Sequence, residues 1–113
     1  TLGSLQAGAE GLAQVLAQYP HTQAIHFAND DLAAGALLAA QRQGLNVPGD
    51  IAIAGFNGLP LGQHVTPQLT TILSPREEMG RLAAKELIRR LSGKNVYRRQ
   101  HDVGFTLQIG GST

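Results

Sequence analysis

Two apolar runs in this chain each break off at an asparagine, and this repeated layout restricts the fold more than any other feature. Ala24-Ile25-His26-Phe27-Ala28 runs into Asn29-Asp30-Asp31, and Ile51-Ala52-Ile53-Ala54-Gly55-Phe56 runs into Asn57-Gly58. Short apolar runs without strict two-residue alternation suit strands covered on both faces. A helix-like segment follows the first run. In parallel α/β proteins small ligands bind just past the carboxyl ends of strands, near helix N-termini. Asn29 and Asn57 are therefore expected on one edge of one sheet, as two polar side chains of a small-molecule pocket.

The flanking segments agree with such a sheet. Ser4 suits the cap of a helix running to about Gln18, with Leu5, Ala9, Leu12, Leu16 and Tyr19 on one stripe and Pro20 preventing continuation. Asn29 or Asp30 suits the cap of a second helix over about 31–43, with Leu32, Ala36, Leu37 and Ala40 on its apolar face and Gly44 at its end. Residues 51–55 read as a second buried strand, 57–68 as a long loop, and 69–73 as a third strand. Ser74-Pro75-Arg76-Glu77 reads as a capping box, with Ser74 at the cap and Pro75 at the first helical position. That helix runs to about Ser92, with Met79, Leu82, Ala83, Leu87 and Leu91 on one face, and Gly93 ends it. Val103 to Ile109 reads as a last strand. Alternation of strands and helices predicts an α/β fold, a doubly wound parallel sheet with right-handed crossovers.

Composition excludes several classes. The 113 residues allow at most one domain, and 42% hydrophobic with 15% charged residues describe a globular chain. A net charge of +1 does not by itself indicate a nucleic-acid surface. Up to residue 75 the only base is Arg42, whereas eight bases and four acids follow from Arg76 on, which reads as a solvated basic helix and tail. The absence of cysteine rules out disulfides, thiolate metal sites and cysteine nucleophiles. No apolar run reaches membrane-spanning length, and no signal peptide is visible. Thr1 is not an initiator Met, which fits a piece of a longer polypeptide.

No catalytic or cofactor motif stands out: there is no phosphate-binding glycine loop, no histidine pair at metal spacing and no nucleophile elbow. His26, set in an apolar strand, reads as a structural histidine rather than a ligand. Asp30-Asp31 could serve as the acidic pair of a phosphoryl-accepting receiver domain, but the position that should then hold the accepting Asp is Asn57. Asn29 fits a helix cap as well as a ligand contact, and Asn57 fits a turn residue before Gly58 as well as a ligand contact. Arg76 in a first helical turn opposes the macrodipole. It is either an exposed base balanced by Glu77 and Glu78 or a contact for an anion or hydroxyl at the pocket mouth.

A family resemblance rests on these and neighbouring residues. Ala28-Asn29-Asp30-Asp31-Leu32-Ala33-Ala34-Gly35, Gly44-Leu45-Asn46-Val47-Pro48-Gly49-Asp50-Ile51, Gly55-Phe56-Asn57, Pro67-Gln68-Leu69-Thr70-Thr71-Ile72, Met79-Gly80 and Ser112-Thr113 resemble, in order and spacing, the LacI/GalR transcriptional repressors. The Asn-Asp-Asp and Gly-Phe-Asn-Gly forms look most like a gluconate-operon repressor. The resemblance implies a type I periplasmic-binding-protein-like fold, here the C-terminal fragment of a two-lobed domain. Residues 1–68 would be second-lobe α/β structure, 69–92 the crossing strand and helix toward the first lobe, and 93–113 a C-terminal strand segment.

Position by position, the resemblance makes Asn29 an effector contact, Asn57 the match of an Asp that binds sugar hydroxyls, and Arg76 a further cleft residue. Three departures follow. Asn57 is neutral, which removes a repulsion of roughly 1 kcal/mol or more toward a carboxylate ligand and, with Arg76, favours a sugar acid. Gly3 stands where many members carry a pocket aromatic, and Gly110 where the family usually has Arg. The resemblance further implies a cytoplasmic homodimer, a sugar or sugar-acid effector, no cofactor, no metal, no catalysis and no membrane. Operator DNA would be read only through an N-terminal helix-turn-helix absent from this chain. A sugar-binding protein of an ABC transporter shares the fold and is the alternative.

Overall fold

The computed structural model describes residues 3–95 and 98–113. Its elements are α1 (Leu5–Gln18), β1 (Ala24–His26), α2 (Asp30–Arg42), β2 (Ala52–Ala54), α3 (Pro60–His64), β3 (Thr71–Leu73), α4 (Arg76–Leu91) and β4 (Thr106–Gln108). They fall into two compact units. One takes the chain up to Leu73 together with Leu107–Thr113, and the other is Ser74–Thr106.

In the first unit the expected helix signals operate as read. The Ser4 side chain accepts from the Ala7 amide at 3.0 Å, and the Asn29 side chain accepts from the Leu32 amide at 2.9 Å. Each satisfies a backbone donor that the first helical turn leaves open. Gly44, with φ +78°, follows the end of α2 in the left-handed conformation that favours glycine. The two helices then approach backbone to backbone. A Cβ built on Gly8 of α1 would fall 1.9 Å from the Leu32 carbonyl oxygen, and one on Gly35 of α2 would fall 2.0 Å from the Leu5 carbonyl oxygen. Both glycines are thus spacers set by the partner helix. The close crossing lets small residues fill the layer beneath: Ala33, Ala34, Ala36 and Ala40 pack with Leu12, Leu37, Ile51, Ile53 and Leu69. Full burial of each of the larger side chains stabilises by about 1.5–3 kcal/mol.

β1 and β2 pair in parallel, with Ala24 opposite Ala52, Ile25 opposite Ile53 and His26 opposite Ala54. A parallel bridge from Ala54 to Thr70 carries the sheet toward β3, which pairs with β4. Ser112 is wedged beside this junction. Its amide donates to the Gln68 carbonyl, its carbonyl accepts from the Ile53 amide at 2.9 Å, and its hydroxyl accepts from the Thr70 amide at 2.9 Å while donating to the Ile53 carbonyl. Gly110 shares the tight fit, since a Cβ there would lie 2.3 Å from the Gln68 carbonyl oxygen. A side chain here would require the backbone at Gln68–Leu69 to shift.

Three expectations are corrected. The first apolar run is not covered on both faces: among the described residues β1 pairs only with β2, and Ala24, Ile25 and His26 are exposed, half-buried and exposed. The stretch 57–68 is not all loop. It holds α3, where Pro60 occupies the first turn and supplies a preset φ. The N-cap position of α4 is Pro75 rather than Ser74, with φ −75° and ψ 69°, and Pro75 makes no side-chain cap bond. Proline's non-helical ψ there starts the helix one residue later than read.

In the second unit α4 has Glu77 and Glu78 in its first turn and Arg89 and Arg90 in its last, the order its macrodipole favours. Arg81 donates to both Glu78 oxygens, at 2.9 and 2.6 Å, and this hydrogen bonding holds the Glu78 carboxyl below its ordinary range. Both groups are exposed, so the pair adds little stability. No residue of α4 is buried, and Met79, Leu87, Ile88 and Leu91 are exposed.

The glycine spacers give a paired prediction. Gly8→Ala should destabilise the chain by about 1–3 kcal/mol through overpacking, although alanine is the better helix former. Gly80→Ala in α4, where a Cβ meets nothing within 4 Å, should instead stabilise by up to about 1 kcal/mol. Thermal melting of the 113-residue chain reads both, and equal shifts of the two variants would contradict the spacer role.

Candidate ligand-binding rim

The in-register parallel pairing brings the ends of β1 and β2 side by side. Beyond the ladder the pairing continues: the Phe27 amide donates to the Ala54 carbonyl at 2.8 Å, and the Asp30 amide donates to the Phe56 carbonyl at 3.0 Å. Residues 29–30 and 56–57 are therefore neighbours on one edge, as the two apolar runs predict.

Asn29 sits at the N-cap of α2 with extended backbone and is half-buried. Its Oδ1 is taken by the Leu32 amide. The remaining Nδ2 group lies toward Gly3, where a built Cβ would stand 3.0 Å from it. A residue with a side chain at position 3 would crowd that amide. Asn29 thus caps the helix and still offers N–H donors, so its structural and functional readings are compatible.

Asn57 is half-buried and adopts φ 86°, the left-handed conformation that residues with a Cβ seldom take. Its backbone is held on all sides. The Asn57 amide donates to the Ile72 carbonyl at 2.9 Å, the Gly58 amide to the Thr71 hydroxyl at 3.2 Å, and the Leu59 amide to Asp30 Oδ2 at 2.7 Å. Thr71 Oγ1 donates in turn to Asp30 Oδ1 at 2.7 Å. Asp30 and Thr71 have 0% and 1% of their surface exposed. Gly55 makes space for the carboxylate, since a Cβ there would fall 2.1 Å from Asp30 Oδ1.

Sequence reasoning took Asp30 only as a cap or as half of an acidic pair, and it gave Thr71 no role. The available signal was Gly55 directly before Phe56-Asn57, a position where a close approach excludes a side chain. Arg76 belongs to the other unit, where it opens α4 and is exposed. A concavity of about 460 Å³ in that unit is lined by Met79, Leu82, Leu87, Arg90, Arg98 and Val103, and by none of the three predicted site residues. Among the described residues no group of three or more His, Asp or Glu side chains could hold a metal ion, and no helix is long and apolar enough to cross a membrane.

The rim carries two neutral amides, a group whose chemistry suits hydroxyl or carboxylate oxygens. Comparison with known proteins bears on this arrangement. Residues 2–113 match the periplasmic binding protein-like domain. The chain is 45% identical to the HTH-type transcriptional regulator GntR of Escherichia coli K12 over 109 residues, which cover 96% of this chain and 33% of that protein. It spans about a third of the length of the curated regulator it matches. Among solved structures, the transcription regulator GntR from Chromobacterium violaceum superposes with a TM-score of 0.88 at 43% identity, covering 96% of this chain and 40% of that one. A LacI family regulator from Arthrobacter sp. FB24, in complex with lactose, gives 0.82 at 34% identity, over 97% and 41%. With its parallel sheet, its helix-capping asparagine and a sequence that matches along nearly its whole length, the chain belongs to the periplasmic-binding-protein-like domains of the LacI/GalR transcriptional repressors, of which it makes up a part.

Proposed function

We propose that this chain is the effector-sensing and dimerising part of a transcriptional regulator of sugar or sugar-acid metabolism. The observation that carries the reading is the pair of amides, Asn29 and Asn57, at the ends of two parallel strands paired in register. The similar proteins are regulators, which supports this reading over a transporter's sugar-binding protein and over an enzyme.

In this reading residues 1–68 are second-lobe structure, 69–92 the crossing strand and helix toward the first lobe, and 93–113 a C-terminal strand segment. The effector contacts we propose are Asn29 and Asn57, with Arg76 a further ligand-binding residue. The effector favours one arrangement of the lobes and so shifts a population of conformers, and with it the affinity for operator DNA. DNA is read by a helix-turn-helix outside this chain, in a cytoplasmic homodimer. No cofactor and no metal take part.

The proposed effector is an anionic sugar acid of the gluconate type. Asn57 hydrogen-bonds an oxygen without the repulsion a carboxylate would bring, and Arg76 supplies a positive charge. Two outcomes follow for the intact regulator, both read by calorimetry with gluconate and with glucitol, its uncharged counterpart. Arg76→Ala should weaken gluconate more than glucitol, and equal weakening would contradict an anionic effector. Asn57→Asp should weaken gluconate by roughly 1 kcal/mol or more while leaving glucitol bound as well or better.

A further inference from the structure

We propose that Asp30, together with Thr71, is the positioning residue of the rim. It sets the backbone of residues 57–59 from beneath, so that the Asn57 amide stands at a fixed distance and angle from Asn29. The proposal rests on reading the rim as a ligand site. Asp30 has no exposed surface and so does not meet a ligand itself.

An acidic residue in the first turn of a helix ordinarily faces the open amides of that turn. Asp30 does not serve them, because Asn29 caps α2. Both of its oxygens reach instead to distant segments, Oδ1 to the Thr71 hydroxyl at 2.7 Å and Oδ2 to the Leu59 amide at 2.7 Å. The space around it is built for a carboxylate. A Cβ at Gly55 would lie 2.1 Å from Oδ1, and one at Gly62 would lie 3.2 Å from Oδ2. The groups it holds are those beside Asn57. Leu59 is bonded directly, and Gly58 is bonded through Thr71, whose hydroxyl accepts from the Gly58 amide while donating to Asp30. Asn57 itself has φ 86°, a conformation that persists when the surroundings over-determine it. Three consecutive amides pinned at 57, 58 and 59 supply that over-determination, and Asp30 and Thr71 receive two of them.

Amide hydrogen exchange and gluconate calorimetry on the intact regulator test the assignment with Thr71→Val, which keeps the shape and removes the hydroxyl, and Thr71→Ser, which keeps the hydroxyl. Thr71→Val should speed exchange at Gly58 and Leu59 by about tenfold or more, while Ala36, Leu37 and Ala40 within α2 keep their protection. Gluconate affinity should fall by a similar factor, and Thr71→Ser should restore both. Asp30→Ala should act in the same direction, and if that variant does not fold, Thr71→Val decides. Exchange that rises equally at 58–59 and through α2 would reduce the pair to global stability and overturn the proposal, as would a loosened loop with unchanged affinity. Selective loosening at 58–59 in a regulator that binds no gluconate, parent or variant, would uphold the positioning role and overturn the sugar-acid reading instead.

Discussion

A single buried carboxylate ties the start of α2, the loop after β2 and the first residue of β3 into one piece. Removing a charge from water is costly unless partners replace the lost hydration. Asp30 has two such partners, the Thr71 hydroxyl and the Leu59 amide, and it lies at the positive end of the α2 macrodipole. The bonds are charge-assisted and so stronger than neutral ones. Leaving either donor unpaired at this buried carboxylate would cost about 1–3 kcal/mol, a large share of the stability of a small domain. The polar network joins the three segments by directional bonds in addition to their apolar packing.

The apolar layer works by closeness. Gly8 and Gly35 let α1 and α2 touch through their backbones, and the alanines of α2 keep the helix near the sheet. This short separation sets where the N-terminus of α2 meets the strand ends. Asn29 can then cap its helix and present an amide group at the rim. The same compactness explains Gly55, which brings β2 against the buried carboxylate. Packing and polar network are thus one device: each requires residues without side chains at the points where backbones meet.

Much of this could be read from the amino acids because it is local. Ser4, Asn29 and Gly44 act within one helical turn of their own position, and periodicity reports a helix face directly. The parallel pairing and the shared edge of Asn29 and Asn57 also followed from pattern, since two apolar runs ending alike have few alternatives. Part of what escaped was set by distant partners. Asp30 and Thr71 stand 41 positions apart, and nothing beside either residue reports the other. Ala24 and His26 are exposed because of what does and does not pair with β1, a property of the sheet and not of the residues. The capping box at Ser74 failed by a single position, because Pro75 takes a ψ that delays the helix. α3 was missed because five residues are too few to show a period.

Ser112 has a consequence for the order of events at the ribosome. It bonds to Ile53 and Thr70, which precede it by 59 and 42 positions, and all of Ser74–Thr106 is synthesised between. Translation at about 5–20 residues per second needs roughly two to seven seconds for such a stretch. Through that interval the nascent β2 and β3 have emerged while the residue that bridges them has not. The bonds that join Ser112 to Ile53 and Thr70 therefore close only after the whole of Ser74–Thr106 has been made.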